Sequence, residues 1–290
     1  SFDDPGCPSR GDTHYWMVWH GGLPFTAYRE NSFRFCSEYG FESLPSMKTV
    51  ETFSAPEDRN LLSRVMDDHQ KCRTGNEKLL RYLADYYLYP SRFEDLVYAS
   101  QLMQAEAIES AVEHFRRQRG YCMGSTYWQF NDCWPVASWS SVDCFGRYKA
   151  LHYAARKFYA PVAMGLFLEN GALTVNIANE TRTGFRGRVH LAMCRGDLTV
   201  LGETGQDVEV EALSCMPTCT TSRVASSCAR RSCRCLPSIS GGASRRLTSG
   251  SPPFPAARRS PFRPTYLPRA YSWTSGISTA FCPTISLPSP

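Results

Sequence analysis

The spacing of apolar and polar positions changes twice along the 290 residues. Near the start, "GDTHYWMVWHGGLPF" and "FRFCSEYGF" are short aromatic runs broken by glycine, and each predicts a strand that ends in a loop. The spacing then turns helical. Leu79, Leu80, Leu83, Tyr86 and Tyr87 share one face, with Asn76 placed to cap that helix and Pro90 to stop it. A second helix begins beside Ser91 and turns Phe93, Leu96, Val97, Met103, Ala107, Ile108, Ala111 and Phe115 inward. Arg116, Arg117 and Arg119 suit its negative end and Gly120 terminates it. "YCMGSTYWQF" predicts a further strand, "NDCWPVASWSSVDCFGRY" a long loop, and "KALHYAARKFYAPV" a helix closed by Pro161. Strands alternating with helices predict an α/β fold with a parallel sheet over residues 1–161.

After Pro161 the period drops to two. Asn170-Gly171 is a hairpin signal between apolar runs. Leu173, Val175 and Ile177 alternate with Thr174 and Asn176, and Val189, Leu191 and Met193 keep the same beat. Residues 162–211 therefore read as the start of an antiparallel β-sandwich, cut off near residue 211. No period of either kind runs through residues 212–290, a Ser/Pro/Arg/Cys-rich stretch expected to be an unstructured tail.

Composition sharpens the reading of that tail. It holds ten Arg but no Asp, Glu, Lys, His, Asn or Gln. Those six residue types share codons with A at the second position, and of that codon class only Tyr266 and Tyr271 remain. A GC-rich gene read in a shifted frame produces this pattern; a natural low-complexity tail is the alternative. The formal net charge of +5 is then misleading, because residues 1–211 carry 22 basic and 27 acidic residues. A mildly acidic front half argues against nucleic acid as a partner.

No run of about 18 apolar residues is present, so no membrane span is expected. "SFDDPGCPSRGDTHYW" lacks a basic segment followed by an apolar one, which points to no signal peptide and a cytoplasmic location. The missing initiator Met suggests that the N-terminal part of a longer protein is absent. Six of the 13 cysteines lie in the tail without zinc spacing. Cys7, Cys36, Cys72, Cys122, Cys133, Cys144 and Cys194 read as small buried thiols of a reducing compartment.

The candidate chemistry centres on Glu38, a carboxylate where an apolar strand ends, with a glycine two residues on. Active sites of (β/α)8 barrels lie at that end of the strands. Tyr15, Trp16 and Trp19 crowd one such segment and Trp128 and Trp134 another. Aromatic rings beside a carboxylate suit a sugar, which has apolar C–H faces and many hydroxyls. The same residues also fit an ion-paired loop Glu38 and an ordinary aromatic core.

The segments "GDTHYWMVWHGG", "FRFCSEYGFESLPS" and "YWQFNDCWPVASWSSVDCFGRYKALHYAARKFYAPV" together resemble the β-mannosidases of glycoside hydrolase family 2, over about residues 1–205. The resemblance implies a partial (β/α)8 barrel, from about the sixth to the eighth strand, followed by part of a β-sandwich. It implies that Glu38 is the nucleophile at the end of the seventh strand. Trp16 and Trp19 would shape the sugar site from the sixth strand and Trp128 would floor it from the eighth. Asn131 and Trp134 would lie at the rim. No cofactor or metal is implied, and the partner is a β-mannoside glycan.

Retaining hydrolysis needs a second carboxylate about 5–5.5 Å from the first, protonated at working pH. In the family it belongs to an Asn-Glu pair upstream of the nucleophile. Here Asn76-Glu77 and Asn179-Glu180 both follow Glu38, and Glu30 and Glu42 flank it without that motif. The general acid/base is therefore expected to be absent from this chain. The chain alone, with about five barrel strands missing, is expected not to hydrolyse β-mannosides. A β-galactosidase or β-glucuronidase of the same family, or a non-catalytic carbohydrate-binding protein, are the competing readings.

Overall fold

Three short strands, β1 (Thr13–His14), β2 (Cys36–Tyr39) and β3 (Ser125–Tyr127), pair in parallel in that order. The structure is a computed structural model, and it describes residues 4–169, 172–195, 199–221, 269–272 and 278–286. Parallel neighbours cannot be joined by a tight turn. The connection from β2 to β3 accordingly carries α1 (Met47–Val50), α2 (Arg64–Asp68), α3 (Gly75–Tyr86) and α4 (Phe93–Arg117). A final helix, α5 (Ala150–Phe158), follows the long loop after β3. The strand expected beside that of Glu38 is present, although shorter than its sequence run.

The helices cover the sheet with the faces that their spacing marks out. Leu96, Val97, Met103, Ala107, Ile108, Ala111 and Phe115 of α4 are buried, as are Leu79 and Leu83 of α3. They join Tyr28, Phe33, Cys36, Tyr39 and Phe41 in one core. Each fully buried large side chain contributes roughly 1.5–3 kcal/mol relative to exposure. Phe115 meets Tyr39 and Phe33 edge-on at 5.3 and 5.8 Å between ring centres, so α4 is keyed to the strand that carries Glu38.

One helix start differs from the sequence expectation, and the other falls beside Ser91 as expected. Thr74, not Asn76, precedes the first residue of α3. Asn76 is buried inside the first turn, where its amide donates to Leu61 O at 3.0 Å and its oxygen accepts from Gln70 Nε2 at 3.3 Å. It satisfies loop groups in place of helix donors. Arg92 precedes α4 without a side-chain cap, and Glu94 and Asp95 supply the negative charge that the first turn favours.

Beyond Pro161 the chain runs in longer strands. β4 (Val162–Glu169), β5 (Ala172–Asn179) and β8 (Ser214–Thr221) form one sheet in the order β4-β5-β8. Asn170-Gly171, the expected hairpin turn, lies outside the described residues, while the strands on either side of it are neighbours. β7 (Val200–Val210), β6 (Phe185–Arg195), β10 (Ser278–Ser286) and β9 (Arg269–Ser272) form a second sheet in that order. β10 runs antiparallel to β6 from Thr279↔Arg195 to Ser286↔Arg188.

Strand therefore continues past residue 211, in β8, β9 and β10, where the sequence predicts an unstructured tail. Backbone pairing in a ladder does not require the side-chain alternation by which strands are read from sequence. Most of the remaining tail, including residues 222–268, lies outside the described residues.

The chain divides into two compact units, and the divisions do not fall at 161 and 211. One unit takes residues 1–167, 175–184 and 210–218; the other takes 168–174, 185–209 and 219–290. Within the first unit, Phe167 lies under the guanidinium groups of Arg29 and Arg117 at 5.0 and 4.1 Å. Arg119 donates to Leu213 O at 3.0 Å. These contacts join segments on both sides of the expected boundaries. Among the described residues no helix is long and apolar enough to cross a membrane.

Candidate active site

Glu38 occupies the C-terminal end of the central strand, held from both sides. Tyr15 N donates to Glu38 O at 2.7 Å from the β1 side, and Trp128 N donates to Tyr39 O at 2.7 Å from the β3 side. Its side chain is about one-quarter exposed (27%). The Trp16 indole Nε1–H donates to Glu38 Oε2 at 2.9 Å, and His14 Nδ1 lies 3.3 Å from the same oxygen. His14 and Glu38 are register partners across β1 and β2, so neighbouring strands deliver the contact directly.

Gly40 explains the Ser-Glu-Tyr-Gly order. A Cβ on this residue would lie 2.5 Å from Trp128 O, 2.9 Å from Trp139 Cδ1 and 3.0 Å from Trp16 Cη2. Three tryptophans thus converge where the Glu38 strand ends, and only a residue without a side chain lets them close. Trp16 and Trp139 meet edge-on at 6.0 Å. Trp128 follows β3 with its side chain 43% exposed.

The other expected sugar contacts are placed differently. Trp19 is wholly buried among Phe41, Tyr82 and Trp139, so it is a core residue and not a sugar platform. It follows Trp16 by three residues in a turn that directs it inward. Trp134 stacks on His69 at 5.1 Å and lies under Lys71 Nζ at 5.2 Å, in a cluster with Phe53. Asn131 is exposed, bridges to Val142, and its carbonyl accepts from Gln129 Nε2 at 3.0 Å. The structure thus joins Trp16 and Trp128 to the Glu38 strand end and leaves Trp19, Asn131 and Trp134 apart from it.

Neither Asn-Glu pair reaches the site. Glu77 lies in the first turn of α3. Glu180 pairs with Arg116 and Arg119 at 3.2 and 3.7 Å.

Beneath the strand end is a buried polar scaffold that the sequence reading missed. Ser43 and Ser138 exchange backbone hydrogen bonds at 2.9 and 3.1 Å, tying the segment after Glu38 to the loop that carries Trp139. Lys149 Nζ is fully buried and donates to both carbonyls of that bridge, Ser43 O at 3.3 Å and Ser138 O at 3.1 Å. Gln104 of α4 donates to Phe41 O and Ser140 O. Asp132 accepts from the Ser138 and Ser140 hydroxyls.

Glu42 is also wholly buried, with Gln70 Nε2 at 2.8 Å from Oε2 and no hydrogen-bond partner on Oε1. Burial pushes the Glu42 carboxyl up to about 8. Burial likewise draws the Lys149 ammonium down to about 8, against the attraction of Asp132, Glu42 and Asp143.

Comparison with known proteins gives the class first: the chain is similar to glycoside hydrolases. It is 36% identical over 181 residues to the β-mannosidase B of Aspergillus flavus, a match that covers 61% of this chain and 21% of that protein. It is 36% identical over 171 residues to the β-mannosidase B of Thermothelomyces thermophilus, covering 54% and 20% respectively. Among solved structures it is similar to the β-D-mannosidase of Dictyoglomus thermophilum, with a TM-score of 0.71 and 31% identity over 74% of this chain and 27% of that one. The exo-chitosanase of Amycolatopsis orientalis shares the fold at a TM-score of 0.60 and 20% identity. The particular resemblance is therefore to β-mannosidases, and the chain spans about a fifth of the length of the curated relatives it matches. No family model matches the chain.

Proposed function

We propose that this chain is the nucleophile-bearing part of a retaining β-mannosidase. In this reading β1, β2 and β3 are the last strands of a (β/α)8 barrel, and the antiparallel strands after Pro161 belong to a following sandwich. Glu38 attacks the anomeric carbon of a terminal β-mannoside, and Trp16 and Trp128 flank the sugar. The observation that carries the reading is a carboxylate at the C-terminal end of a parallel strand, bound by an indole N–H at 2.9 Å and bordered by aromatic rings. The likeness to named β-mannosidases, in sequence and in structure, supports mannose as the sugar.

A retaining reaction divides into two halves. The first needs a nucleophile, plus an acid only when the leaving group is poor. The second needs a base to activate water. Glu77 and Glu180 do not lie at the site, so the first half is the one whose reacting residue this chain carries. The test is to incubate the 290-residue chain with dinitrophenyl 2-deoxy-2-fluoro glycosides of mannose, galactose and glucuronic acid, and to weigh the intact protein. One added 2-fluoromannosyl group, with no steady release of sugar, is the expected result. Preferential trapping of the galactoside or glucuronide would reassign the substrate, and no covalent sugar from any of the three would refute the nucleophile.

A further inference from the structure

Glu38 has two oxygens in unequal surroundings. Oε2 has the Trp16 indole N–H at 2.9 Å and His14 Nδ1 at 3.3 Å, whereas Oε1 has no hydrogen-bond partner among the described residues. A free carboxylate can rotate about its last bond to any angle. The Trp16 indole hydrogen bond, with His14 of β1 two residues earlier and 3.3 Å away, fixes the plane of the group: intermediate angles lose these contacts, and a half-turn only exchanges two equivalent oxygens. His14 is itself placed by its backbone: its N–H donates to Pro5 O at 2.9 Å, and its ring is the register partner of Glu38. The far ring nitrogen, Nε2, is 4.0 Å from Asp12 Oδ2, and Asp12 is anchored by the Ser37 hydroxyl at 2.6 Å.

We propose that His14 is a positioning residue for Glu38: together with the Trp16 indole it holds Oε2 and leaves Oε1 as the attacking atom. This rests on the reading of Glu38 as the nucleophile. The reaction it serves balances simply with an activated mannoside. A bond forms between Oε1 and C1 while the bond from C1 to the leaving oxygen breaks. The electron pair departs with the dinitrophenolate, no proton moves, and Glu38 passes from carboxylate to ester. Donors on Oε2 draw charge away from Oε1, so the benefit of His14 lies in orientation and not in basicity. His14 takes no part in bond making. It must carry hydrogen on Nδ1, as both the Nδ1–H tautomer and the imidazolium do.

The test has two arms on the 290-residue chain. In the first, the six tryptophans are labelled with 15N in the indole ring and the histidines with 15N in the imidazole. Glu38→Gln replaces a charged acceptor by a neutral one, so the Trp16 indole proton should move upfield and the His14 Nδ1 signal should move with it. If neither resonance responds, the proposal is overturned. In the second arm the rate of trapping by the dinitrophenyl fluoromannoside is compared across variants.

His14→Leu should trap about 2- to 5-fold more slowly, the range for loss of a partly exposed ion-pair contact. His14→Asn keeps an N–H donor near the position of Nδ1 and should recover most of the rate. The urea midpoint of His14→Leu should match the parent, since the ring is 43% exposed. Equal trapping rates for the parent and His14→Leu would overturn the positioning role while leaving the nucleophile in place. Resonances that respond to Glu38→Gln in a chain that is never trapped would uphold the His14 contact and remove the glycosidase reading.

Discussion

Gly40→Ala is the substitution whose cost is set most directly by the geometry. The added methyl would sit 2.5 Å from Trp128 O, 2.9 Å from Trp139 Cδ1 and 3.0 Å from Trp16 Cη2, where ordinary contacts are 3.4–4 Å. The carbonyl cannot swing aside cheaply, because Trp128 N is bonded to Tyr39 O at 2.7 Å in the adjoining peptide. Overpacking of this kind costs typically about 1–3 kcal/mol. The lower chain entropy of alanine in the unfolded state returns about 0.4–1 kcal/mol. A net loss of about 1–2 kcal/mol is expected, measured as a lower urea midpoint followed by tryptophan fluorescence. The site should suffer more than stability does. Trp16 is the ring pressed by the methyl, and its indole holds Glu38, so a shift of about 1 Å can cost about 100-fold in trapping rate. A Gly40→Ala chain with the parent's midpoint and the parent's Trp16 indole resonance would show that the three tryptophans do not close around this residue.

Lys149→Met should destabilise the chain by about 2 kcal/mol, because two carbonyls lose their shared charged donor and Asp132 and Asp143 lose a buried cation; a midpoint equal to the parent's would refute the clamp. For Glu42, burial raises the carboxyl from 4.5 to about 8, so between those values the folded chain keeps a proton that the unfolded chain releases. Stability should therefore fall as pH climbs from 4.5 to 8, by at most about 5 kcal/mol. Glu42→Gln should flatten that fall, which urea midpoints at pH 5 and pH 8 will show. Arg116→Ala should cost about 1–3 kcal/mol, since its guanidinium donates to Phe158 O and Ala160 O and pairs with Glu180; an unchanged midpoint would show that these carbonyls find water instead.

The legible parts of the fold were those written in periodicity. The α4 face from Leu96 to Phe115 and the alternation of Leu173, Val175 and Ile177 are one-dimensional patterns that burial imposes, and all these residues are buried. Glu38 was singled out by its place at an apolar strand end and by the family resemblance of its motif, since the residues alone also fitted an ion-paired loop. The sorting of tryptophans was not legible. Trp16 and Trp19 sit in the same aromatic run, yet one binds Glu38 and the other is core. The difference lies in the turn after Trp16, which composition does not encode. Lys149 was equally hidden, because its partners are the backbone carbonyls of Ser43 and Ser138, more than 100 and 11 residues away in the chain. The strands past residue 211 have backbone partners without a side-chain signature.

The most direct measurement of the central claim is peptide mapping of the chain after trapping with dinitrophenyl 2-deoxy-2-fluoro-β-mannoside. The expected result is a single fluoromannosyl ester on Glu38 that is absent from Glu38→Ala and slowed in Trp16→Phe. An adduct on any other carboxylate, or the same adduct mass in Glu38→Ala, would contradict it.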